Sequence, residues 1–218
     1  MPERASPPEV NAAERRRWND ERWTAMWPKR ERLTDTVTPF LLAAADLQPG
    51  DAVLDVGCGG GRTSLAAGAV VGPGGVVVGA DISAPLLSLA EERAAETGAA
   101  HVSFVHCDVQ VDRVVDREFD AAISQFGVMF FEEPVVAFRA VAGHLRPGGK
   151  LAFACWQPPH RNPWHVGPVL ARYAEPPPPV PPGKSPTGPF AFGDRQRVAS
   201  VLAESGFSDV SCTSHELL

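Results

Sequence analysis

The chain has 218 residues, 44% hydrophobic and 21% charged, with a formal net charge of −6. This is the composition of an ordinary globular protein with room for one core, and it excludes a disordered or collagen-like chain. The negative balance argues against nucleic acid as the main partner. The four cysteines, at 58, 107, 155 and 212, contain no Cys-x-x-Cys and indicate neither a disulfide framework nor a metal site.

Met1-Pro-Glu-Arg opens without an apolar signal region, and no apolar run is long enough to span a bilayer. A cytoplasmic protein without a membrane partner is expected. Residues 1–10 are rich in Pro and charge and read as disordered. From Asn11 to Trp27 the pattern predicts one helix, which carries three of the five tryptophans, Trp18, Trp23 and Trp27. A second helix, from Arg30 to Ala45, would put Leu33, Val37, Leu41 and Leu42 on one face. The basic runs Glu14-Arg-Arg-Arg17 and Lys29-Arg-Glu-Arg32 read as solvated helix faces.

The most informative stretch follows. Ala52 to Val56 is short, rich in Val and Leu, and bounded by Pro49-Gly50 and by glycines at 57, 59, 60 and 61. It predicts a buried strand, a sharp glycine turn, and a helix starting near Thr63. Such a unit presents backbone N–H groups to a ligand. The dinucleotide pattern G-x-G-x-x-G does not fit, because Arg62 or Ser64 stands where its last glycine belongs. Asp55-x-Gly57-x-Gly59-x-Gly61 instead resembles the first motif of the class I S-adenosylmethionine-dependent methyltransferases.

Further elements continue that resemblance. Val76–Asp81 predicts a second strand, with Asp81 twenty residues after Gly61. A carboxylate at a strand's end there can accept both ribose hydroxyls; otherwise it caps a helix, although Ser83 is the better cap for Ala84–Thr97, with Gly98 as the stop. Val102–Cys107 predicts a third strand. By resemblance Asp108 faces the adenine amino group and the Val109 N–H a ring nitrogen; the alternative is that Asp108 caps the next turn. Phe119–Ser124 predicts a fourth strand, whose carboxyl end brings Ser124, Gln125 and Phe126 to the binding crevice. Pro134–Leu145 reads as a helix. Leu-Arg-Pro-Gly-Gly-Lys-Leu, ending at Leu151, resembles the family's turn into strand five, read as Leu151–Trp156.

Residues 158–189 hold twelve of the twenty-two prolines, with His160, Trp164, His165 and Tyr173 among them. The segment 157–192 reads as a substrate-side cap rather than a passive linker. Asp194–Ser205 predicts a helix that stops at Gly206, and Phe207–Cys212 a sixth strand. No seventh strand is found, which would leave strand six a bare edge open to dimerisation.

The fold class expected is α/β: a Rossmann-like open, mostly parallel sheet with helices on both faces. Residues 1–30 would form an N-terminal segment and lid helix, and 31–218 the cofactor-binding domain. The resemblance implies S-adenosyl-L-methionine as cofactor, bound by Asp55, Gly57, Cys58, Gly59, Gly61, Asp81, Ile82, Asp108, Val109 and Ser124. It implies methyl transfer by in-line displacement to a small-molecule acceptor, O- or C-methylated and of quinone or natural-product type. Phe126, Phe130, Phe131, Trp156 and Trp164 would suit a flat apolar acceptor. His160 and His165 are the nearest residues able to take a proton, and no catalytic residue is assigned. Two alternatives stand beside this reading. One is a protein that binds the cofactor without catalysis. The other is a nicotinamide-dependent oxidoreductase, which is disfavoured because the single tyrosine, Tyr173, has no lysine four residues on.

Overall fold

The computed structural model describes residues 11–165 and 186–216. The expectation for residues 1–10 and most of the Pro-rich segment lie outside the described residues. The chain opens with helices α1 (Ala12–Trp18), α2 (Glu21–Arg32) and α3 (Thr38–Ala45). It then alternates: β1 (Ala52–Val56), α4 (Arg62–Val71), β2 (Val76–Asp81), α5 (Ala84–Thr97) and β3 (Val102–His106). The second half is β4 (Phe119–Gln125), α6 (Pro134–Ala142), β5 (Leu145–Ala154) and α7 (Arg195–Glu204).

The five strands form one open sheet in the order β3-β2-β1-β4-β5, and every pair is parallel. The expected Rossmann-like α/β architecture is what the chain adopts. Parallel strands are covered on both faces, so their core runs are continuously apolar. Val53, Val77, Ala121, Ile123 and Ala152 form one core with Leu41 and Ala45 of α3 and Ala67 and Val71 of α4. Leu54, Val56, Val78, Ala80 and Ala122 form the other, with Phe138 and Val141 of α6 and Val198, Val201 and Leu202 of α7. Strand order reverses between β1 and β4. The chain leaves β1 toward β2 and β3 on one side and returns as β4 on the other, so a crevice opens at their carboxyl ends.

Several boundaries differ from expectation. The single helix over 11–27 is two, because Asp20 takes an extended conformation and its carboxylate accepts from the Arg22 N–H, starting α2 afresh. The helix expected over 30–45 is broken by a 3₁₀ turn at Asp35–Val37. That break leaves Leu33 77% exposed while Val37 and Leu41 are buried. Ser83 occupies the N-cap position of α5 without a side-chain cap bond. Its hydroxyl donates instead to the Trp18 carbonyl, at 2.6 Å. The Pro147-Gly-Gly149 turn lies inside β5 as an irregularity: Phe119 pairs with Leu145 and Ala121 with Lys150.

The sixth strand does not form. Gly206 and Asp209 both have left-handed backbones, with φ of 95° and 55°, which breaks extension across Phe207–Cys212. Phe207 packs on the core while residues 208–216 are exposed. Among the described residues, no helix is long and apolar enough to cross a membrane.

Phe138 ties α6 to the sheet. It is fully buried, with Phe131, Phe153 and Phe192 around it at 5.5–5.7 Å between ring centroids. Phe138→Ala is expected to cost about 3–5 kcal/mol, read from the urea midpoint at unchanged m-value. A loss under about 1 kcal/mol would mean that this face does not pack as described.

Candidate functional site

The glycine loop sits at the carboxyl end of β1, the central strand. Gly57 has φ of 70°, and a Cβ there would lie 2.9 Å from the Gly127 Cα. Only glycine fits, because the loops after β1 and β4 pass at backbone contact. Ser124 pins that crossing: its buried hydroxyl donates to the Val56 carbonyl at 2.7 Å and accepts from the Val128 N–H at 3.3 Å. The loop is also tied to β2, through Gly57 N–H and Cys58 N–H donating to the Ala80 carbonyl. Gly61 is the N-cap of α4 and offers no side-chain cap, so the first N–H groups of that helix are left for other acceptors.

Three acids stand at adjacent strand ends, each compensated differently. Asp55 is fully buried beneath the loop. One oxygen accepts from the Ser64 hydroxyl at 2.6 Å, and the other has no partner. Burial pushes its carboxyl up to about 7, with Ser64 acting against the rise and Asp81 adding to it. Asp81 accepts from the Gly59 and Ser83 N–H groups, both at 2.8 Å. Burial raises its pKa and those donors oppose the shift. Asp108 accepts from Gln110 N–H at 3.1 Å, from Asn11 Nδ2 at 2.8 Å and from Arg15 at 3.4 Å. Beside it, the Val109 N–H has no acceptor among the described residues.

These residues share one cleft of about 2200 Å³, whose wall includes Gly57, Cys58, Gly59, Asp81, Ile82, Asp108 and Val109. Asp55, Gly61 and Ser124 are not part of the wall; they support it from behind. A small-molecule site commonly needs about 300–1,000 Å³, so the cleft has room for two ligands side by side. Its far end, past β4 and β5, is aromatic. Phe126 is a non-glycine residue at φ of 67°, a strained backbone of the kind found at functional sites. Its ring stacks on Trp156 at 4.4 Å and 11°, Trp156 meets Trp164 at 4.9 Å, and Trp164 stacks on Phe190. His160 lines the cleft, whereas the His165 ring packs on Phe190 at 4.7 Å.

The N-terminal helices, expected as a lid, pack against the glycine loop and the aromatic end. Trp27 lies directly over Gly59, where a Cβ would come within 2.7 Å of its ring. Its indole donates to Glu31 at 3.0 Å, and Glu31 pairs with both Nη atoms of Arg93 at 2.6 and 3.0 Å. Arg93 Nη1 also donates to the Gly60 carbonyl at 2.7 Å. Trp18 packs against Trp23, Trp27 and Phe130 at 5.0–5.9 Å. The residues missed were Asn11, Glu31 and Arg93. The available signals were an Asn at a helix start and an acid in a basic run, and neither names its partner.

The chemistry of the donors fits an adenosyl amino-acid ligand. An orphaned buried carboxylate oxygen lies under the loop, an acid ends β2, and an acid with a free N–H follows β3. Residues 53–149 match the family described as Methyltransferase domain. The chain is 33% identical, over 56% of its length and 50% of the relative's, to a ubiquinone/menaquinone biosynthesis C-methyltransferase from Cellvibrio japonicus. It is 35% identical to the nocamycin O-methyltransferase of Saccharothrix syringae, over 65% of the chain and 48% of the relative. The chain thus spans about half the length of the curated relatives it matches. In fold it is similar to a SAM-dependent methyltransferase from Aquifex aeolicus, with a TM-score of 0.60 and 20% identity over 89% of this chain and 87% of that one.

Asp55 gives a pH test. Its folded pKa exceeds the unfolded value of about 3.9, so the folded state holds an extra proton between about pH 4 and 7. Its contribution to stability is complete below that window and is lost as the pH rises through 7. The swing is on the order of 4 kcal/mol. In Asp55→Asn that swing disappears, so the stability of wild type minus variant should fall by this amount from pH 4 to 8 in urea titrations. Parallel pH curves would show that Asp55 does not titrate in this window.

Proposed function

We propose that the chain, whose residues 53–149 match the Methyltransferase domain family, is a class I S-adenosylmethionine-dependent methyltransferase that transfers a methyl group to a small, flat, largely apolar acceptor. One observation carries the reading: the glycine loop, Asp81 and the Asp108–Val109 pair line the same cleft as the aromatic end beyond β4. An amino-acid, a ribose and an adenine subsite would then run along the ends of β1, β2 and β3, with the acceptor lodged beside them.

In this reading the backbone of Gly57–Gly59 admits the methionyl portion, and α4 turns its uncapped N–H groups toward the carboxylate. Asp55 lies beneath the loop, one layer behind the ammonium, whose positive charge favours the ionised form of that carboxyl. Asp81 accepts from the ribose hydroxyls, and Asp108 with the Val109 N–H takes the adenine edge. Bound there, the cofactor supplies a sulfonium methyl that is already electrophilic, so the remaining task is to hold the acceptor in line with it. Phe126, Trp156 and Trp164 supply a wall for a planar ring. Trp18 and Trp27 exclude water from above, which supports the lid role of the N-terminal helices. The names of the relatives support an acceptor of quinone or natural-product type. The net charge of −6 fits a small molecule rather than a nucleic acid, and the four free thiols suit a reducing cytoplasm.

Calorimetry should detect S-adenosylmethionine and S-adenosylhomocysteine binding and none of NAD(H). Asp81→Ala should weaken both ligands by about tenfold or more, the loss of at least one charge-assisted hydrogen bond. Binding of NAD(H) in place of the adenosyl ligands would overturn the reading. Against a panel of quinols and polyketide phenols, Trp156→Ala should raise the acceptor KM by about tenfold and leave cofactor affinity within about twofold. Equal loss at both ligands would remove Trp156 from the acceptor wall.

A further inference from the structure

Asn11 is the N-cap residue of α1, yet its side chain makes no cap bond. The residue is instead 5% exposed and held at φ of 57°. Its carbonyl accepts from the Arg15 N–H within α1, while its N–H and both side-chain polar atoms reach across the cleft. Nδ2 donates to Asp108 Oδ2 at 2.8 Å, Oδ1 accepts from the Glu132 N–H at 3.3 Å, and its own N–H donates to Glu132 Oε2 at 3.1 Å. Asn11 therefore joins the loop after β3 to the loop after β4 and lines the cleft between them.

Its effect on Asp108 follows from counting lone pairs. A carboxylate offers about four acceptor positions. Oδ1 takes Gln110 N–H, and Oδ2 takes Asn11 and the longer contact from Arg15. Three donors thus hold both oxygens, which leaves about one acceptor position, one residue from the free Val109 N–H. Acceptor then donor, one residue apart, is complementary to an adenine edge, which offers an amino donor and a ring-nitrogen acceptor. A 6-oxopurine offers the reverse.

We infer that Asn11 is a positioning residue for adenine: by fixing the Asp108 carboxylate it makes the site discriminate a 6-amino from a 6-oxo purine. The inference rests on the reading that Asp108 faces the adenine amino group. It differs from a plain latch for α1, which would affect any nucleoside equally. Arg15 completes the arrangement with a guanidinium contact to the same Asp108 oxygen at 3.4 Å.

The test is the ratio of dissociation constants for S-inosylhomocysteine and S-adenosylhomocysteine, measured by calorimetry on the full chain. Wild type should prefer the adenosyl ligand by about thirtyfold or more. Asn11→Ala should bring the preference down to about threefold, with most of the loss on the adenosyl side. Asn11→Asp keeps the size and the Glu132 N–H bond but loses the donor and sets a like charge on Asp108, so it should lose the preference too. If both variants weaken the two ligands equally and keep the ratio, Asn11 is only a latch and the inference fails. If wild type has no preference, the assignment of Asp108 to adenine fails, and the inference with it. Asp108→Asn separates the cases further: it should abolish the preference wherever the Asp108 reading holds, whatever Asn11 does.

Discussion

The backbone contact between Gly57 and Gly127 is the constraint on which the rest depends. β1 and β4 are neighbours, and the chain leaves them toward opposite sides of the sheet. Their loops must therefore cross where the crevice opens. With Gly57 and Gly127 too close for a Cβ on either, and Ser124 bonded across the gap, the crossing is tight. Its consequences are direct. The β1 loop has to turn at once, which aims α4 at the cleft. The β4 loop has to enter through a left-handed Phe126, which sends that ring onto Trp156. One steric condition so shapes the floor of the glycine-loop end and the wall of the aromatic end.

A second constraint is electrostatic. Asp55, Asp81 and Asp108 place three carboxylates at adjacent strand ends with little water. Such a cluster holds only if each group is neutralised or hydrogen-bonded. Asp81 is served by two backbone N–H groups, of Gly59 and Ser83, and Asp55 by a single hydroxyl, which leaves it half-satisfied and easily protonated. Asp108 takes two of its three donors from the N-terminal helix. The roof is therefore part of the electrostatics of the site, and α1 and α2 are structural members of it. Glu31 makes the same point: an acid 8% exposed, stabilised by the Arg93 fork and the Trp27 indole, clamps α2 onto the glycine loop.

What could be read from the sequence depended on the range of the interaction. β1 and β2 were legible to the residue, and β3 and β4 to within one, because a buried parallel strand is a run of Val, Ala and Ile between turn signals. The glycine spacing and the acids at 81 and 108 were legible because the motif is local. Ser124 was expected at the cofactor, but its hydroxyl is taken up by β1 and the β4 loop, a contact 68 residues away in sequence. The Asn11–Asp108 and Glu31–Arg93 bonds span 97 and 62 residues, and no periodicity encodes them. The sixth strand failed for the opposite reason. Gly-Phe-Ser-Asp-Val has strand-like alternation, but a strand requires an edge to pair with, and a left-handed Asp209 turns the backbone away from β5.

The two ends of the cleft also differ in how they are built. The glycine-loop end uses backbone groups and short acids at strand termini, positions the sheet fixes. The aromatic end is assembled from Phe126 after β4, Trp156 and Trp164 after β5, and Phe190 before α7. Its shape therefore depends on loops packing on one another rather than on the sheet. Trp18 connects the two. It stands one helix from Asn11, its carbonyl accepts from Ser83 beside Asp81, and its ring meets Phe130. A movement of α1 that disturbed Asp108 would also move Trp18 against the aromatic end. α1 thus holds both ends of the cleft, through Asn11 at Asp108 and Trp18 at Phe130.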